Sequence, residues 1–107
     1  MQAEVDVLID KLKAHPGVEG VVALSIPAEG PTAHVLKSTF DNQETTIQFA
    51  TLAHSCSLSV GSTLQSVFPE ENLACCRLTT KKHEIIISKE KTYVLVVVQK
   101  LTPGDAE

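Results

Sequence analysis

Residues 45–69 read TTIQFATLAHSCSLSVGSTLQSVFP and contain no Lys, Arg, Asp or Glu. The apolar residues keep a helical period. Phe49, Leu52, Ala53, Cys56, Val60, Leu64 and Val67 fall on one side at about 100° per residue. Ile47, Ala50, His54, Leu58 and Gly61 fall nearly opposite, and Thr51, Ser55, Ser59, Ser62 and Ser66 run between the two sides. An ordinary surface helix carries charge on its wet face. A long helix without that charge is expected to be covered on more than one side, and in a short chain the second cover comes from another chain. The stretch is too polar to span a membrane, which takes roughly 20 mostly apolar residues. It predicts an interaction module built around one long helix.

The flanking residues set its ends. Asp41 or Asn42 can accept hydrogen bonds from the first free N–H groups. Glu44 lies in the first turn, where an anion suits the helix dipole. Pro69 stops the helix, which is expected to run to about Phe68. Before it, Ala3 to Ala14 reads as a first helix with the stripe Val5, Leu8, Ile9 and Leu12, closed by Pro16-Gly17. Val18 to Ile26 and His34 to Phe40 read as two strands joined by a long turn-forming loop around Pro27 to Pro31. After it, Leu73 to Thr79, His83 to Ser88 and Thr92 to Gln99 read as a three-stranded antiparallel meander with short polar connections. The consecutive apolar residues Tyr93 to Val98 mark a central strand covered on both faces.

The order is helix, two strands, helix, three strands, an α/β (α+β) arrangement in one domain over residues 1–100, with a polar tail at 101–107. The chain has 107 residues and a net charge of −4, with no basic stretch, which argues against nucleic acid or an anionic membrane as partner. Three cysteines, an odd number, and no signal peptide at Met1 lead us to expect free thiols in a reducing compartment.

Candidate chemistry is sparse. Cys75 and Cys76 are adjacent on a strand, so their side chains point to opposite faces. One of them can approach Cys56 on the helix, but two thiols leave half of a zinc site empty. His54 and Cys56 lie about 200° apart around the helix axis, a poor catalytic pair. No phosphate-binding glycine loop or metalloprotease motif occurs. We expect no catalytic residue, no metal and no cofactor.

Other residues occur in a familiar order: Gly17-Val18 with Gly20; Lys37-Ser38-Thr39; Asp41-Asn42; Phe49-Ala50 with Leu52 and His54; Lys81-Lys82; Glu84-Ile85; Lys91, Tyr93 and Gln99. Together they resemble the roadblock family of dynein light chains, from about Val5 to Gln99. The resemblance implies a roadblock/longin-like fold, a five-stranded antiparallel sheet between helices. It implies a non-enzymatic scaffold that forms a homodimer, or a heterodimer with a paralogue, by edge-to-edge strand pairing and side-by-side long helices. It further implies capture of a dynein intermediate chain, in the cytoplasm on the cytoskeleton. Related domains are scaffolds or regulators of small GTPases, which is the alternative reading. The expected interface takes Ile47, Ala50, Thr51, His54, Leu58 and Gly61 from the helix. From the edge strand, assigned partly through the resemblance, it takes Leu73, Ala74, Cys75, Cys76, Arg77 and Leu78. Two features depart from the family: a longer hairpin loop over Pro27 to Ala33, and no basic residues in the second half of the long helix. Both suit a specialised paralogue, such as one in a ciliary or flagellar axoneme.

Overall fold

The computed structural model describes residues 2–25, 34–90 and 93–101. Its elements are α1 (Gln2–Lys13), β1 (Val18–Ser25), β2 (His34–Ser38), α2 (Gln43–Val67), β3 (Cys75–Thr79), β4 (His83–Lys89) and β5 (Val94–Lys100). The expected hairpin loop over 27–33, together with Ile26, Lys91, Thr92 and the tail beyond Leu101, lies outside the described residues. Leu101, expected in that tail, is held: its N–H donates to the Lys82 carbonyl at 3.0 Å.

The five strands form one antiparallel sheet in the order β2-β1-β5-β4-β3. Strand β5 is central, and Val94 through Val98 are all buried, as their unbroken apolar run requires. Alternation along the strands divides the core into two layers. On one face, Val5 and Ile9 of α1 pack with Val21, Ala23, Leu95 and Val97. On the other, Ala50 and Ala53 of α2 pack with Val22, Leu24, Ile87, Val94, Val96 and Val98. The sheet therefore lies between two helices, as the order of elements implied.

Strand β2 ends at Ser38 rather than at Phe40. Thr39 still donates its N–H to the Val21 carbonyl at 3.0 Å, and then the chain turns so that Phe40 crosses over Gly20. A Cβ at Gly20 would sit 2.3 Å from Cζ of Phe40. The absence of a side chain there is what lets the ring lie against the backbone, where it stacks on Phe49 with centroids 5.3 Å apart. Gly17, at φ +88°, makes the left-handed turn between α1 and β1.

Asn42 begins α2. Its Oδ1 accepts from the N–H of Glu44 at 2.8 Å and of Thr45 at 3.4 Å. Asn42→Ala is expected to cost about 1 kcal/mol of stability, read as a lower urea midpoint; an unchanged midpoint would show that the cap contributes nothing.

Edge strand β2 is irregular and charged. Its register against β1 shifts between Ala23 and Leu24, leaving Leu36 as the extra residue. Lys37 Nζ reaches Asp6 Oδ1 of α1 at 2.9 Å. That hydrogen bond, with the charge of Asp6 and less so of Asp10, holds the ammonium above the ordinary lysine value against a smaller opposing effect of burial. On the lysine side, the stabilisation is therefore fully present below the ordinary lysine value and is lost as pH climbs through the raised one.

Candidate interaction surface

Four residues of α2 are buried: Thr46, Ala50, Ala53 and Ser57. Their spacing of three and four centres the sheet-facing stripe on small residues, because the helix lies close over β1 and β5. Ala50, expected on the open side, belongs to this buried stripe, which corrects its assignment. The polar members differ in how they are accommodated. Thr46 shares a 2.7 Å hydroxyl hydrogen bond with Ser38. Ser57 Oγ is buried with no hydrogen-bond partner among the described residues.

From Leu58 to Val67 no residue of α2 is buried. Val60 and Val67, which the helical period places on the same side as Ala53, are exposed at 41% and 65%, and Phe68 beyond them at 49%. The helix runs past the end of its packing on the sheet, so angular position alone no longer decides burial. Ile47 and Leu58 are exposed at 52% and 58%. Thr51 is exposed beside them, and His54 and Gly61 are half-buried. A Cβ on Gly61 would lie 3.9 Å from Leu73, so the segment leading to β3 runs back along the helix. Without charge from Thr45 to Pro69, this side of α2 is an extended weakly polar surface.

Beside it runs β3, paired on one side only, with β4. Leu73 and Ala74, expected within the strand, precede it. The pairing reaches Ala74 all the same, since Lys89 donates its N–H to the Ala74 carbonyl at 2.9 Å. At the other end Thr80 donates to His83 O at 2.8 Å. Antiparallel ladders alternate between bonded and non-bonded pairs. With Ala74 and Thr80 bonded inward, Cys76 and Leu78 also bond toward β4. The N–H groups of Cys75, Arg77 and Thr79 point to the open edge. Proline at Arg77 thus removes an outward donor, whereas proline at Cys76 breaks the ladder inside the subunit. Arg77→Pro is expected to weaken self-association by about tenfold or more while Arg77→Ala, which removes only the charge, changes it little. Equal effects of the two would assign the loss to charge.

The side chains of β3 divide between faces. Cys76 and Leu78 pack toward α2 with the core. Cys75 is exposed, and Arg77 reaches Glu84 at 3.8 Å, the carboxylate that also accepts from Gln99 at 2.7 Å. His83 Nε2 meets Glu19 Oε1 at 2.8 Å. Cys56 is matched with Cys76, not with His54. Burial, and then Cys76 as charge and as hydrogen-bond partner, push the Cys56 thiol up. Among the described residues no group of three or more His, Cys, Asp or Glu side chains could hold a metal ion. Among them, too, no helix is long and apolar enough to cross a membrane.

The comparisons agree with this architecture. The model of the Roadblock/LC7 domain family matches residues 4–100. The crystal structure of a Roadblock/LC7 domain from Streptomyces avermitilis superimposes with a TM-score of 0.70, covering 89% of this chain and 77% of that one at 17% identity. At that identity the likeness speaks to the fold, and the family match over nearly the whole chain to descent: this chain belongs to the Roadblock/LC7 domain family.

Proposed function

We propose that this chain is a non-enzymatic dynein light chain. It acts as a dimeric scaffold, paired with itself or with a roadblock paralogue, and binds a segment of a dynein intermediate chain during assembly of a microtubule-based motor. The observation that carries the reading is the juxtaposition on one side of the molecule of the uncharged, unburied part of α2 and the open edge of β3. A helix surface of that composition is suited to close approach of a second helix, and an edge with outward N–H groups to a second strand. Neither requires a catalytic group, and family membership is in keeping with scaffolding. We place it in the cytoplasm on the cytoskeleton. The absence of basic residues in the second half of α2 favours a specialised motor such as that of a cilium or flagellum.

Affinity capture on the tagged chain from ciliated cells tests the partner. A dynein intermediate chain is the expected catch. Recovery of a small GTPase or its exchange machinery in its place would transfer the function to the GTPase-scaffold alternative. Sedimentation of the purified chain tests the assembly. A monomer at tens of micromolar, with no recruited paralogue, would remove the dimer.

A further inference from the structure

Two of the three cysteines come from distant parts of the chain and meet. Cys56 lies on α2 and Cys76 on β3, and both pack, partly exposed, against the same apolar layer between α2 and the sheet. Cys76 stands opposite Ile87 in the ladder, so its side chain is directed to the helix side of the sheet. The third thiol, Cys75, is on the opposite face of the same strand and exposed. We propose that Cys56 and Cys76 form a reversible disulfide that fastens α2 to β3 when a small-molecule disulfide such as oxidised glutathione is in excess.

The chemistry closes without further reagents. One cysteine, as thiolate, attacks a sulfur of the small disulfide and releases one small thiolate, leaving a mixed disulfide on the protein. The second cysteine, as thiolate, attacks the protein-side sulfur and releases the other small thiolate. Two protein thiols lose two protons and two electrons, and one small disulfide becomes two small thiols. The raised pKa of Cys56 keeps it mostly protonated at neutral pH, so the exchange is slow there and accelerates as pH rises. The cross-link itself is independent of the proposed partner. Its influence on assembly rests on that reading, because α2 and β3 are the two elements the proposed dimer uses.

The test is incubation of the folded wild-type chain with oxidised glutathione, followed by proteolysis without reduction and mass spectrometry. A linked peptide pair containing Cys56 and Cys76 is expected. It should persist in Cys75→Ser, vanish in Cys76→Ser, and be accompanied by a urea midpoint above that of the reduced chain. Recovery only of glutathione adducts, or only of links through Cys75 between chains, would overturn the proposal. So would a Cys56–Cys76 link that forms equally fast in urea-unfolded chain, since folding would then contribute nothing to the pairing. Sedimentation of the oxidised chain is a separate readout, and a dimer unaffected by the link would remove the regulatory consequence while leaving the disulfide in place.

Discussion

Leu58→Glu is expected to raise the dissociation constant of the proposed dimer by roughly 100-fold or more, leaving a folded monomer at low micromolar concentration. Full burial of a leucine is worth about 1.5–3 kcal/mol, a two-fold axis counts each loss twice, and every ~1.4 kcal/mol is a factor of ten. Leu58 is exposed in the single subunit, so the substitution should leave the subunit's circular dichroism and the urea midpoint of its monomer unchanged. Val7→Glu is the control. Val7 is an equally exposed apolar residue on α1, across the sheet, and its replacement should not alter sedimentation. If Leu58→Glu still sediments with the wild-type dimer, or if both variants dissociate alike, the open side of α2 is not the contact.

Gly20→Ala is expected to destabilise the folded chain by about 2 kcal/mol, the middle of the range for forcing an extra carbon into a packed site. The added Cβ would meet three ring atoms of Phe40 at 2.3, 2.5 and 2.6 Å, and the ring is backed by Phe49. The sign is diagnostic. Where a backbone accepts alanine without strain, the replacement of glycine stabilises by about 0.4–1 kcal/mol through the unfolded state. Here Phe40→Leu in the Gly20→Ala background should recover part of the loss, giving a coupling measurable in a double-mutant cycle of urea midpoints. A midpoint unchanged or raised in Gly20→Ala would mean that the ring moves aside freely.

Much of the architecture was legible because the strongest signals are local. The consecutive valines of β5 could serve only in a strand covered on both faces, and Asp41-Asn42 before Glu44 marks a helix start, though which of the two caps it only the structure decides. The edge position of β3, assigned partly through the family resemblance, agrees with the sheet order. The orientation of α2 was less legible. The helical period groups Val60 and Val67 with Ala53 on one side and says nothing of Thr46 or Ser57. The structure exposes the two valines and buries Thr46 and Ser57, for two reasons the projection cannot contain. Close approach to a valine-rich sheet selects small side chains over large ones, so Ala50, Ala53 and Ser57 fit where bulk would not. And Thr46 is made compatible with burial by a hydroxyl eight residues earlier, on a different element. The same limit applies to the thiols. That one of Cys75 and Cys76 would face the helix follows from strand alternation, but only the register against β4 decides that it is Cys76.

The two borders of the sheet differ, and the difference fixes how large an assembly can grow. The β2 border is bulged at Leu36 and carries Lys37, a poor template for another strand. The β3 border offers its donors in regular alternation. If two copies join through β3, the symmetry is self-complementary and consumes the receptive border of both at once. The composite sheet then ends on both sides in β2, so a third copy finds no receptive strand. Pairing of that kind would foreclose growth by strand addition and hold association at two.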